Sequence, residues 1–247
     1  MRFVTAFISS RHNRPQNEDC SGYFLKDGLG CWAVADGLGG HFGGETASCL
    51  AVENIISSFK AHQGCSPAMT FQYLEAAHNA ILARQAAEAG LSAMRTTVVV
   101  LLSDSQGAVW GHAGDSRLYQ FRQGRIIFQT RDHSVPQALV NAGDLKPEEV
   151  RFHEDRHRLL RVLGQDGDFR PTILEEKIPL VDGDAFLLCT DGFWEYMLET
   201  EMENVLAKAT NPQDWLDLME HDLLRRANQD AKKEHDNYTA IGIFVRK

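Results

Sequence analysis

Four aspartates stand where strands should end. Trp32-Ala33-Val34-Ala35 runs directly into Asp36-Gly37, and Phe186-Leu187-Leu188-Cys189-Thr190 runs into Asp191-Gly192. Asp115 sits in Gly114-Asp115-Ser116 between two strand-like stretches, and Asp236-Asn237 directly precedes the last apolar run. Aspartate is a poor strand residue, and an ionised carboxylate at the end of a buried strand has to be paired or bound to a cation. A single Asp-Gly pair reads as a plain turn. Four acids at comparable strand ends can converge on one rim of a sheet, which makes them a candidate metal site. Oxygen-only donors favour Mg²⁺ or Mn²⁺ over zinc, which would call for His or Cys.

Charge favours two ions. Asp36, Asp191 and Asp236 carry three negative charges, and the adjacent Glu18 and Asp19 raise this to five. Two divalent cations bring such a cluster close to neutral; without them the carboxylates repel or take up protons. A metal pair about 3.5–4 Å apart holds a bridging water, lowers its pKa and clamps a phosphoryl group. Hydrolysis at phosphorus is the chemistry expected. Arg14, just ahead of the acidic pair, suits a substrate phosphate because guanidinium grips oxygens bidentately and keeps its charge; the bland alternative is a surface ion pair with Glu18. Gly37 and Gly192 read as hinges for a sharp turn after each acid, with the Gly37 carbonyl offered as a further hard ligand.

The elements that must position these groups follow from periodicity. Cys31–Ala35 and Ala185–Thr190 are continuous apolar runs, the mark of strands buried on both faces. Helical spacing covers Gly44 to about Lys60, and Pro67 to about Ala89 follows Ser66 as N-cap. Strands are expected at Thr96–Leu102, Ala108–Ala113 and Tyr238–Val245, a hairpin at Arg117–Phe121 with Arg125–Thr130, and a helix from Pro212 to about Asp230. Residues 131–170 are polar and lack strand alternation. Runs of strands with grouped helices predict an α+β fold with mostly antiparallel sheets.

Composition excludes other classes. The chain has 247 residues, 43% hydrophobic and 24% charged, enough to bury a core. A net charge of −9 without clustered Lys and Arg argues against a nucleic-acid surface. No apolar run approaches the roughly 18 residues of a membrane span, and the N-terminus lacks a secretory pattern, so a cytoplasmic location is expected. Five scattered cysteines without a C-x-x-C pair read as reduced core thiols.

Together these segments resemble the metal-dependent serine/threonine protein phosphatases of type 2C, most closely the compact bacterial members. The resemblance spans nearly the whole chain: Arg14-x-x-Asn17-Glu18-Asp19, Asp36-Gly37-Leu38-Gly39-Gly40, Gly44-Glu45, Thr96-Thr97, Gly114-Asp115-Ser116-Arg117, Asp132-His133-Ser134, Thr190-Asp191-Gly192 and Asp236-Asn237-Tyr238-Thr239, in that order. It implies one catalytic domain over 1–247, a four-layer αββα sandwich of two antiparallel sheets flanked by helices, with a dinuclear metal site at one end. By the same resemblance Asp36 bridges two Mn²⁺ or Mg²⁺ ions and the Gly37 carbonyl sits on one of them. Asp191 and Asp236 ligate the other. Glu18 and Asp19 hold metal-bound waters, Arg14 binds the substrate phosphate, and Asp115 with Asp191 takes a third metal. The segment from about 132 to 163 matches a flap beside the site.

The implied reaction is attack of a metal-bridging hydroxide on phosphoserine or phosphothreonine in proteins, opposing a cognate bacterial Ser/Thr kinase; a compact domain without coiled-coil heptads reads as a monomer. Some family members carry a general-acid His directly after Asp-Gly; here Leu38 stands there, and the role is not transferred to His41. His133 reads as structural, His235 as a solvated turn residue, and His153 and His157 as exposed. Trp110 and Trp215 read as core. Competing readings are a two-metal phosphodiesterase or nuclease, a nucleotide-binding module using the Gly37–Gly44 loop, and a non-catalytic scaffold. The acidic charge weighs against the first. Phe42 standing where a dinucleotide loop needs Gly, and the charge on Asp36, weigh against the second. The full set of acids weighs against the third.

Overall fold

A computed structural model describes residues 1–39, 43–229 and 234–247; Gly40, His41, Phe42 and Asp230, which figure in the sequence reading, lie outside the described residues. In chain order the strands are β1 (Arg2–Ser10), β2 (Asp19–Lys26), β3 (Leu29–Leu38), β4 (Arg95–Thr96), β5 (Val98–Asp104), β6 (Gly107–Ala113), β7 (Arg117–Arg122), β8 (Arg125–Gln129), β9 (Thr172–Ile173), β10 (Ala185–Cys189) and β11 (Tyr238–Arg246). The α-helices are α1 (Gly43–His62), α2 (Pro67–Ala87), α3 (Val135–Ala142), α4 (Asp191–Trp194), α5 (Glu199–Leu206) and α6 (Pro212–Gln229). One sheet runs β1-β11-β10-β7-β8 and the other β2-β3-β5-β6-β9, with β4 beside β3. All these pairings are antiparallel.

Three apolar layers hold the sandwich. Between the sheets lie Trp32, Val34, Val99, Leu101, Phe186, Leu188, Ile241 and Ile243. Against α1 and α2 lie Cys31, Ala33, Ala35, Val98 and Val100; against α4–α6 lie Leu187, Cys189, Ala240 and Phe244. Alternate residues of β3, β10 and β11 therefore serve different layers, which is why those strands read as unbroken apolar runs. Trp110 and Trp215 are buried core residues, as read from the sequence. The expected N-cap of α2 is present: Met69 N–H donates to Ser66 Oγ at 3.2 Å, with Pro67 at the first helical position.

The sequence reading missed β1 and β2. Each is an edge strand of its sheet, with mostly half-buried side chains rather than clean alternation. The strand expected at Thr96–Leu102 is broken at Thr97, and α5 was also unread. Segment 131–170 holds α3 and a 3₁₀ turn at Pro147–Phe152. Its helix is capped by Ser134 and stops at Gly143, whose φ of 85° needs no Cβ penalty.

Two further readings need correction. The turn read at Gly37 is absent, because Gly37 lies within β3, whereas at Gly192 the chain does leave β10 for α4; neither glycine has a positive φ. A Cβ on Gly37 would stand 2.1 Å from the Gly44 carbonyl oxygen, and one on Gly192 would stand 2.0 Å from that of Asn237. The glycines are there so that backbone can meet backbone. His235 is no solvated turn residue either; it is buried, stacked edge-on to His12 and hydrogen-bonded to Tyr196 at 2.7 Å.

Candidate metal centre

Side-chain alternation carries the acids to one place. In β3, Trp32 and Val34 point between the sheets, and Asp36 continues that row past the apolar layer. Asp19 lies directly across from Asp36 in the β2–β3 pairing. On the other sheet, Asp191 follows the end of β10 and opens α4, while Asp236 sits just before β11. Arg14, Glu18, Asp36, Gly37, Leu38, Asp115, His157, Asp191, Asp236 and Asn237 line one cleft of about 270 Å³. Seven of the eight residues picked from sequence thus share it. Asp19 is the exception, buried behind Asp36 and held by Thr190, whose Oγ1 donates to its Oδ2 at 2.9 Å.

Backbone bonds fix the arrangement. The Asp36 N–H donates to Thr97 Oγ1 at 3.0 Å and the Thr96 hydroxyl to the Asp36 carbonyl at 2.7 Å, while Thr97 and Ser116 hydroxyls bond at 2.7 Å. The Asp36 and Asp115 turns are so tied together. Asn237 accepts from the Glu18 N–H at 2.8 Å and donates to the Arg11 and Gln16 carbonyls, pinning the Arg14–Glu18 loop to β11. Trp194 Nε1 donates to the Asp115 carbonyl at 2.9 Å, and the buried Arg117 guanidinium stacks 3.4 Å above that indole while bonding Asp132 twice at 2.8 Å.

Electrostatically the cleft is under strain. Burial, then repulsion from Asp191, holds both Asp36 and Asp115 well above the usual carboxylate range. Burial pushes Asp19 up to about 8, and burial followed by Asp191 raises Asp236. Glu18 is raised by burial and by Asp236. Arg14 offsets little of this: its Nη2 lies 3.3 Å from Asp236 Oδ2, both side chains being more than a third exposed. The buried oxygens Asp19 Oδ1 and Asp191 Oδ1 have no hydrogen-bond partner. Orphaned carboxylate oxygens in a ring of mutually repelling acids fit hard divalent cations, which would satisfy both deficits.

Sequence reasoning gave no site role to His157, Glu195, Thr190, Trp194 or Asn237, although Thr190 and Asn237 lie in the motifs that carry the family resemblance. His157 Nδ1 stands 3.5 Å from Asp191 Oδ2, and one ligand atom from each of His157, Asp191 and Glu195 falls within 4.8 Å of the others. The hydrogen bond to Asp191 raises the His157 pKa. His157 is exposed as expected, yet it faces the cleft; His153 is only half-buried. No periodicity marks such residues, since their roles arise from contacts across the fold. His133 is structural as read, accepting from the Gly114 N–H and bonding Thr172.

The acidic cleft is lined by carboxylates that border both sheets of the sandwich. The family model for protein phosphatase 2C matches residues 9–235. A serine/threonine phosphatase of Listeria welshimeri is 31% identical over 199 residues, 78% of each chain. The serine/threonine protein phosphatase PstP of Mycobacterium tuberculosis is 33% identical over 181 residues, 72% of this chain and 34% of that longer protein. Among solved structures, the serine/threonine phosphatase of Staphylococcus aureus superposes with a TM-score of 0.85 at 26% identity, covering 100% of this chain and 96% of that one. The PstP catalytic domain in complex with two manganese ions gives 0.80 at 27% identity, covering 100% of both. The chain belongs to the protein phosphatase 2C family, whose members are metal-dependent.

Proposed function

We propose a division of labour for a chain whose activity is that of its family, metal-dependent removal of phosphate from serine and threonine in proteins. Asp36, the Gly37 carbonyl, Asp191 and Asp236 would hold two Mn²⁺ or Mg²⁺ ions, Glu18 and Asp19 would hold waters on them, and Asp115 with Asp191 would take a third ion. Bound cations supply a hydroxide nucleophile at neutral pH and neutralise phosphoryl charge. Arg14 orients the phosphate: its guanidinium lines the cleft and its buried Nε lacks an acceptor. Leu38 lines the same cleft and has no proton to give a leaving alkoxide. The 132–163 segment acts as a flap, bringing His157 to the cleft mouth and anchored to α5 by Arg151 on Glu199 at 2.8 Å.

The observation that carries this reading is a cleft shared by acids from both sheets, with an orphaned carboxylate oxygen on Asp191 in its lining and another on Asp19 buried behind Asp36. Mn²⁺-supported turnover of p-nitrophenyl phosphate and of a phosphothreonine peptide should vanish with EDTA and in Asp36→Ala or Asp191→Ala. Full activity in either variant defeats the assignment, and preference for a phosphodiester substrate would move it to the diesterase reading. Phosphoprotein substrates imply an opposing Ser/Thr kinase. No described helix is long and apolar enough to cross a membrane; a cytoplasmic monomer is the form proposed.

A further inference from the structure

Two of the five cysteines meet beside the acidic cleft. Cys20 lies on β2 one residue beyond Asp19, and Cys49 lies on α1 one residue beyond Ser48. Alternation along β2 turns Cys20 away from the inter-sheet gap, and it packs against the α1–α2 layer. Two contacts set the strand against the helix. The Ser48 hydroxyl donates to the Glu18 carbonyl at 2.6 Å, and a Cβ on Gly22 would stand 2.9 Å from Val52 Cγ1. Glu18 and Gly22 flank Cys20 on the strand, while Ser48 and Val52 flank Cys49 on the helix. That register brings the two cysteines to the same strand–helix seam, where each thiol perturbs the other. Both are free and half-buried, whereas Cys31, Cys65 and Cys189 are buried.

We propose that Cys20 and Cys49 form a hydroperoxide-oxidisable dithiol whose disulfide restrains β2 and shuts down the adjoining site. The Cys49 thiolate attacks the O–O bond of hydrogen peroxide, gaining one oxygen as a sulfenic acid and releasing hydroxide. The Cys20 sulfur then attacks the sulfenic sulfur: an S–S bond forms, the S–O bond breaks, and oxygen leaves as water with the Cys20 proton. Two electrons pass from the sulfurs to the peroxide, and an external dithiol returns them. The interaction between the two thiols lowers Cys49 below the ordinary thiol range, against burial and the charges of Glu45 and Glu53, and raises Cys20, which makes Cys49 the attacking sulfur. A disulfide holds its Cα atoms about 4.4–6.8 Å apart, and the strand it draws on carries Glu18 and Asp19 immediately upstream.

The bond itself is independent of the proposed chemistry; its effect on turnover rests on the phosphatase reading. The full-length enzyme is treated with hydrogen peroxide, or with the thiol-specific oxidant diamide, then alkylated, peptide-mapped and assayed with p-nitrophenyl phosphate. A Cys20–Cys49 cross-link should form, turnover should fall at least about tenfold, and dithiothreitol should restore it. Cys20→Ser and Cys49→Ser should keep basal turnover and lose the sensitivity to oxidant. Absence of the cross-link, or Cys49 advancing to sulfinic acid with Cys20 untouched, overturns the dithiol. A cross-linked enzyme with unchanged turnover overturns the switch. An enzyme inactive before oxidation overturns the phosphatase reading instead, and mapping alone then decides the bond.

Discussion

Asp19 concentrates the cost of the site in one side chain. It faces Asp36 across two paired strands, and its Oδ1 has no partner. Its folded-state pKa of about 8 exceeds the ordinary 3.8, so between those values the folded chain holds a proton that the unfolded chain has released. Stability contributed by that group therefore falls as pH rises through the window. In EDTA, wild-type unfolding temperature should drop from acid to alkaline pH, and Asp19→Asn should drop less and melt a few degrees higher at the alkaline end. About 1 kcal/mol moves a chain of this size by about 2–4 °C. Excess Mn²⁺ should reverse the order, because the variant loses a charge that organises the ions. A parallel pH slope for both proteins in EDTA would mean Asp19 ionises freely. The acids were legible because aspartate at the end of an apolar run has no structural excuse. Thr190 and Asn237 were not, because the bonds that matter reach Asp19 and Glu18, far away in sequence.

Among the elements, strands buried on both faces announced themselves and edge strands did not. β3 and β10 are unbroken apolar runs, whereas β1 leaves Phe7 55% exposed and β2 buries only Asp19. An edge strand takes its register from its inner neighbour rather than from its own alternation. The junctions were misread for a related reason: Asp-Gly suggested a turn, but the glycines serve close approach of chain segments that sequence cannot place side by side. Gly37→Ala tests this. Its Cβ would sit 2.1 Å from the Gly44 oxygen and 2.6 Å from the Glu18 oxygen, so β3 must part from the start of α1 or from the Glu18 loop. Core overpacking costs about 1–3 kcal/mol and more against backbone. The variant should melt at least about 5 °C lower and bind Mn²⁺ at least about tenfold more weakly by calorimetry. Wild-type melting and affinity would mean that this packing tolerates a methyl group.

At the scale of the whole molecule, the cleft belongs to neither sheet. Asp19 and Asp36 come from one, and Asp191 and Asp236 border strands of the other, so ions between them would clamp the sandwich at its open end. Periodicity could indicate antiparallel sheets, but not that Arg2 pairs with Arg246 or that β10 lies between β7 and β11; those pairings join segments remote in sequence. A ligand that binds only the folded chain stabilises it by about 2.7 kcal/mol at a hundredfold excess over its Kd, which predicts a rise of about 5–10 °C here. Hydrogen exchange locates the clamp. Saturating Mn²⁺ should slow exchange together at the Asp19–Asp36 ends of β2 and β3 and at the β10–α4 and β11 junctions, and Asp191→Asn should lose both effects. Protection confined to one sheet would place the ions within that sheet and leave the other sheet's acids without a shared role.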